Sequence, residues 1–211
     1  MHSNPISSPP FSFSGSIPKH YEQFLGPMFF EPYAIEVSRR IDFTSIQFAL
    51  EIACGTGRVT RHLREHIPAA SKLVASDISE DMLAVAKKRL KEFEIDWQVI
   101  DAQQLPFNEN TIDVVVCCFG YMFVPDKTKA FGEAYRVLRP GGMLLFTAWD
   151  KLKLNGASNV YRTAAKKYLE DPLPDSYNLP FSMNDETVIR SNLLAARFSK
   201  ITIESVRKDS I

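Results

Sequence analysis

Between residues 47 and 150, short apolar runs alternate with segments whose apolar positions recur every three or four residues. The runs "FALEIA", "SKLVASDI", "DWQVID", "IDVVVCCFG" and "MLLFTAW" have the length and boundaries of buried strands. Between them, "RVTRHLREHI", "SEDMLAVAKKRLKEF" and "PDKTKAFGEAYRVL" carry a helical period. Strands alternating with helices predict an α/β fold, a doubly wound, Rossmann-like and mostly parallel sheet. Local signals agree. Ser79 ahead of Glu80 and Asp81 caps one helix and complements its dipole, Pro125-Asp126 opens another, and Ala130, Phe131, Ala134, Tyr135 and Leu138 form a stripe that covers the sheet.

The flanks follow a different rhythm. Residues 1–18, rich in Ser and Pro, read as a mobile tail, and 19–211 as one domain. Within that domain, 19–45 predict an N-terminal helical cap punctuated by Pro27 and Pro32. Residues 151–183, with the helix "NVYRTAAKKYLE" and the Pro-rich aromatic loop "DPLPDSYNLPF", read as a lid insertion. "DETVIRSNLLAARF" and "KITIESV" supply a last helix and strand.

Composition narrows the function classes. Apolar residues make up 45% and charged residues 24%, and 25 Lys+Arg balance 25 Asp+Glu, so no basic footprint for nucleic acid is present. Three cysteines, two of them adjacent in an apolar run, fit reduced thiols in a cytoplasmic protein better than a disulfide framework. The N-terminus lacks the charged and unbroken apolar regions of a secretory signal, and the longest apolar run, Val114 to Val124, is about half of the roughly 20 residues of a membrane span. No export and no membrane span are expected.

The chemistry centres on "ALEIACGTGRVT", where a strand ends in a glycine turn and opens into a helix. In doubly wound sheets this is the ligand-binding switch point, and Gly55 and Gly57 let backbone amides approach a nucleotide-type cofactor. Asp77, closing the second strand, is placed to accept hydrogen bonds from ribose hydroxyls. These features suit NAD and S-adenosylmethionine equally; the rest of the turn separates them. A dinucleotide site favours a third glycine and no nearby negative charge, whereas Thr60 and Glu51 stand here. A carboxylate within 4 to 6 Å of a phosphate is repelled by about 1 kcal/mol in water and by more where screening is weaker. A donor carrying an ammonium and a sulfonium is attracted instead. Asp101, closing the third strand beside the small Ala102, can accept the adenine N6 proton, and Ile78 and Met82 can cover a face of that ring. Acids at three successive strand tips make the adenosyl-sulfonium reading the leading one.

The segments "LEIACGTGRVT", "ASDISEDML", "DAQQLPF", "VVVCCFGYMFVPD" and "RVLRPGGMLLFTAW" resemble the successive motifs of class I S-adenosylmethionine-dependent methyltransferases, especially the branch related to ubiquinone/menaquinone C-methyltransferases (methyltransferase type 11 domain). The resemblance covers roughly residues 20 to 205. It implies a seven-stranded sheet in which Glu51, Ala53, Gly55 and Gly57 surround the methionine part, Asp77 takes the ribose, and Asp101 with Ala102 meets the adenine. It also implies that Cys117 and Cys118 line the cofactor near its methyl group and that Tyr21 closes over it. The family's antiparallel seventh strand, inserted between the fifth and sixth, has no counterpart before Ile211, so either the chain is a fragment or that edge is rebuilt. The fifth strand's edge is then expected to be patched by "KITIESV" or by a second copy in a homodimer.

Methyl transfer is an in-line displacement that positioning alone can accelerate, so no catalytic base is assigned. "CCFGYMF" replaces the Asn/Asp-Pro-Pro-aromatic motif of amide- or base-nitrogen methylation, which points to a small, partly hydrophobic acceptor. Tyr121, Trp149, Tyr161, Tyr177 and Phe181 are the candidates for its pocket. No metal site is expected: His62 and His66 read as part of a solvated helix face with Arg58, Arg61 and Arg64. His20 serves as a base only if the N-terminus folds over the site. The alternatives are an NAD(P)-dependent oxidoreductase and a catalytically silent S-adenosylmethionine-binding protein.

Overall fold

The structure, a computed structural model, describes residues 13–165, 167, 168 and 177–208. Residues 1–12 of the predicted tail and residues 169–176 of the predicted lid lie outside the described residues. Five strands form one parallel sheet: β1 (Phe48–Ile52), β2 (Lys72–Asp77), β3 (Asp96–Val99), β4 (Ile112–Cys118) and β5 (Leu138–Thr147), in the order β3-β2-β1-β4-β5. The order reverses beside β1, so the glycine turn sits where two crossovers diverge. Alternation along the central strands sorts the core into two layers. Leu50, Ile52, Val115 and Cys117 pack toward α5 (Lys127–Val137) and α7 (Glu186–Ala195). Ala49, Val114 and Val116 pack toward α2 (Glu31–Ser38) and α3 (Arg58–His66).

The predicted N-terminal cap is a continuous helical stretch: α1 (Ile17–His20), a π-helical segment Tyr21–Phe30, then α2. Pro27 lies inside the π-helical segment, where a wider turn relieves the clash of its ring with a preceding carbonyl, while Pro32 falls in the first turn of α2, a position that needs no amide donor. Ser79 caps α4 (Glu80–Arg89) by accepting from the Met82 amide, as its position in the sequence predicts. In β5 the partner of Ile112 is Leu138 and that of Val114 is Met143, so Arg139–Gly142 bulge out of the strand instead of preceding it.

Two expectations are corrected. Residues 13–18 are docked rather than a free tail: the Gly15 amide donates to Asp81 Oδ2 (2.8 Å), and Ser79 Oγ donates to the Phe13 carbonyl (2.6 Å). "KITIESV" forms no strand, and the described sheet ends at β5. Apolar alternation needs a ladder partner to become a strand. This segment is fastened by side chains instead, with Ile201 and Ile203 against the core, Glu204 on Arg40 (2.6 Å) and Lys208 on Glu36 (2.6 Å). The predicted lid helix is α6 (Gly156–Ala165), which buries none of its residues. Among the described residues, no helix is long and apolar enough to cross a membrane.

Candidate functional site

β1 delivers Glu51 and then a turn in which Ala53, Gly55 and Gly57 adopt φ of +54°, +56° and +81°. A Cβ on Gly57 would crowd Leu90 Cδ1 at 3.0 Å and Ala86 Cβ at 3.3 Å, and with φ of +81° the position favours glycine. A left-handed alanine is strained, and such strain gathers at functional sites. At the tip of β2, Asp77 pins the turn: Oδ2 accepts from the Gly55 amide (2.8 Å) and Oδ1 from the Ser79 amide (2.9 Å). Burial pushes its carboxyl above the ordinary range, while the amides of Ser79, Gly55 and Ile78 pull it back.

Glu51 is 1% exposed. Burial pushes its carboxyl up to about 8, helped by the charge of Asp77 and opposed by the neighbouring Thr60 hydroxyl and Arg89. Its Oε2 has no hydrogen-bond partner among the described residues, nor has Thr60 Oγ1. An orphaned buried acid lining a cavity is a place for a cation.

The tip of β4 makes the facing wall. Phe119 has φ of +55°, and a Cβ on Gly120 would collide with Ala53 Cβ and Cys117 Sγ, so β4 and the glycine turn close against each other there. Phe119 stacks on Trp149 at 4.2 Å between ring centroids, and Tyr33 and Phe30 pack edge-on to both at 5.4 to 5.9 Å. Burial of its thiol pushes Cys118 up to about 12, with Glu51 adding to the effect, and burial holds Cys54 and Cys117 well above the usual thiol range. All three are free thiols.

The N-terminal segment crosses the mouth. Tyr21 and Phe30 line the same cavity as Glu51, Ala53, Gly55 and Cys118, and burial beside Asp77 raises the Tyr21 hydroxyl. Arg58 joins this strap to the turn through Glu22 (2.6 Å) and Glu31 (2.7 Å), and His62 Nε2 lies 2.8 Å from Glu31. Burial raises the Glu31 carboxyl, but hydrogen bonds to His62 and Arg58 outweigh it and hold the group below the usual range. The strap leaves a cavity of about 40 Å³ over the turn.

Several candidates lie elsewhere. Asp101 turns onto its own loop, accepting from the Gln103 amide at 2.8 Å, and Ala102 and Met82 are core residues. Ile78 faces solvent, and Cys117 sits in the core beneath Cys118. Tyr121 is in the core against Phe131, not on a pocket wall, because the turn after β4 points it inward. Tyr161 and Tyr177 stack on one another at 6.3 Å, and Phe181 lines a separate cavity with Lys151. His62 and Arg58 are not solvated, since the cap covers that face of α3. His20 is exposed and stacks on Phe24. Phe30, Tyr33 and Phe119 escape sequence reasoning; the aromatic density of "FFEPY" beside the "CCFG" turn was the available signal.

Residues 50–146 match the family profile described as a methyltransferase domain. The chain is 34% identical over 119 residues to the ubiquinone/menaquinone biosynthesis C-methyltransferase UbiE of Escherichia coli, a match covering 54% of this chain and 47% of that protein. It thus spans about half the length of the curated relatives it matches. Phosphoethanolamine N-methyltransferase 2 of Haemonchus contortus, in complex with S-adenosyl-L-methionine, superposes with a TM-score of 0.65 at 20% identity over 87% of this chain and 41% of that one. An S-adenosylmethionine-dependent methyltransferase from Aquifex aeolicus gives 0.60 at 17% identity over 85% and 87%. Residues 50–146 are therefore similar to a methyltransferase domain, and the chain shares its fold with S-adenosylmethionine-dependent methyltransferases.

Proposed function

We propose that the protein transfers the methyl group of S-adenosylmethionine to a small, partly hydrophobic acceptor in the cytoplasm. The observation that carries this reading is the unpartnered Oε2 of buried Glu51, in one cavity with Ala53, Gly55 and Cys118 at the tips of β1 and β4. That donor set fits a cationic amino-acid end and repels a diphosphate. When bound, S-adenosylmethionine supplies an electrophilic methyl on a sulfonium. The chain does the rest: Glu51 accepts from the ammonium, Asp77 offers its remaining lone pairs to the ribose, and the left-handed turn brings backbone close to the ligand. The Phe30, Tyr33, Phe119 and Trp149 cluster excludes water and supports an apolar acceptor face. Acceleration then rests on holding acceptor and methyl in line, worth up to about 7 to 11 kcal/mol.

Functional ligand sites usually hold about 300 Å³ or more, so the strap 13–30 must move aside before the donor enters a cavity of about 40 Å³. The uncharged run Met143–Thr147, on the strand that ends the described sheet, supports pairing with a second copy. Calorimetry tests the donor. S-adenosylhomocysteine is expected to bind and NADH not, and Asp77→Ala is expected to weaken S-adenosylhomocysteine at least tenfold; NADH binding with no sulfur ligand bound would select the oxidoreductase. Turnover of any member of a panel of quinols, phenols, thiols and carboxylates separates an enzyme from a silent binder.

A further inference from the structure

The strap closes over the glycine turn with a carboxylate of its own. Glu22 Oε1 accepts from Arg58 Nη2 at 2.6 Å and lies 3.1 Å from Arg89 Nε, while Oε2 accepts the Thr56 hydroxyl at 2.6 Å. Arg89 Nη1 donates in turn to the Thr56 carbonyl (2.9 Å), fixing its head group beside the turn. Thr56 and Arg58 line the cavity that also holds the orphaned Glu51 oxygen.

The charge balance shows what this place wants. Two guanidiniums face Glu22 and Glu31, and Arg58 keeps Glu31 at 2.7 Å whatever Glu22 does. Without Glu22, Arg89 has no carboxylate within ion-pair distance among the described residues. Arg58 Nε is buried and lacks a hydrogen-bond partner even in the closed arrangement. α3, nine residues long, starts at Arg58 with no side-chain cap on its N-terminus. An uncapped helix start flanked by two guanidiniums and a hydroxyl attracts one more anion. The cavity therefore pairs an acceptor suited to an ammonium, at Glu51, with donors suited to a carboxylate, at Thr56 and Arg58. That combination is complementary to the zwitterionic end of an α-amino acid.

We propose that Thr56, Arg58 and Arg89 form the subsite for the carboxylate of the donor's amino-acid end, and that Glu22 occupies it as an internal competitor while the strap is closed. The assignment rests on the methyl-donor reading above. Donor binding and strap release are then one exchange: the incoming carboxylate takes the guanidiniums, and Glu22 is expelled to solvent.

The test compares S-adenosylhomocysteine with 5′-methylthioadenosine, which keeps the adenosine and thioether but lacks the amino-acid end. Calorimetric Kd values are measured for the full chain and for Arg58→Met, Arg58→Lys and Glu22→Gln. Arg58→Met is expected to weaken S-adenosylhomocysteine about tenfold or more and 5′-methylthioadenosine less than twofold, with Arg58→Lys intermediate. Glu22→Gln is expected to raise the preference for S-adenosylhomocysteine over 5′-methylthioadenosine, since removing a competitor helps only the ligand that competes. Equal factors for both ligands in Arg58→Met, or an unchanged preference in Glu22→Gln, would overturn the subsite while leaving the donor reading intact. Failure of the native chain to bind S-adenosylhomocysteine would remove the donor reading and the subsite with it.

Discussion

Glu51 carries opposite consequences for ligand binding and for folding. Its carboxyl holds a proton up to about pH 8 in the ligand-free fold, far above an exposed glutamate. An ammonium favours the ionised form, so binding expels that proton. Affinity for S-adenosylhomocysteine is therefore expected to climb between pH 6 and 8, by at most about tenfold per unit, and Glu51→Gln to bind weakly with a flat profile. Stability runs the other way. The unfolded chain ionises Glu51 near the ordinary value while the fold resists, so the penalty is absent at low pH and grows as pH rises toward 8. Glu51→Gln is expected to melt higher than the native chain at pH 8 by the equivalent of a few kcal/mol, with the gap closing toward pH 5. That Glu51, Gly55 and Asp77 come together was legible in the sequence, because adjacent parallel strands end at the same edge and their tips meet at the glycine turn. Asp101 shows the limit of that logic, since an acid at a strand tip can be consumed by its own loop, here through Gln103. Phe30, Tyr33 and Phe119 were illegible because their cluster exists only where three distant segments converge.

At the scale of elements, the strap is the part that must move for the donor of the proposed reaction to enter. Phe13 and Gly15 fasten its start to the first turn of α4, and Glu22 and Glu31 fasten its length to α3. Association followed by Trp149 fluorescence is expected to saturate with S-adenosylhomocysteine concentration at the rate of strap opening. Deleting residues 1–15 is expected to raise that plateau several-fold, and an unchanged plateau would place the slow step elsewhere. The sequence showed a helical cap, but helical period says nothing about where a helix lies, and the docking of residues 13–18 depends on acceptors far along the chain. The close approach at Gly120 makes a second expectation: Gly120→Ala forces β4 away from Ala53 and costs about 1–3 kcal/mol of stability together with ligand affinity, measured by melting and calorimetry.

Across the whole molecule, the strand-helix rhythm carried the α/β class and the parallel sheet, because periodicities of two and of about 3.6 report burial directly. It failed at "KITIESV", where alternation was real but side-chain contacts to the core, to α2 and to Arg40, not a ladder on β5, hold the segment. The consequence is a long final strand whose outer backbone groups and half-buried Met143, Leu144, Leu145 and Phe146 meet no further strand of the described chain. Sedimentation at micromolar concentration is expected to show a dimer that dissociates on dilution; a strict monomer throughout would exclude pairing through that strand.

The sulfur atoms around the glycine turn bear on a hazard peculiar to this chemistry. A protein that stores an alkylating agent beside Cys54 and Cys118 is exposed to damage from its own reagent. Neutral thiols are poor nucleophiles, and the surroundings of these two hold them in the neutral form. Self-inactivation during prolonged incubation with the donor should accordingly stay slow at neutral pH and quicken in strong alkali, which intact-protein mass spectrometry would register as added methyl masses.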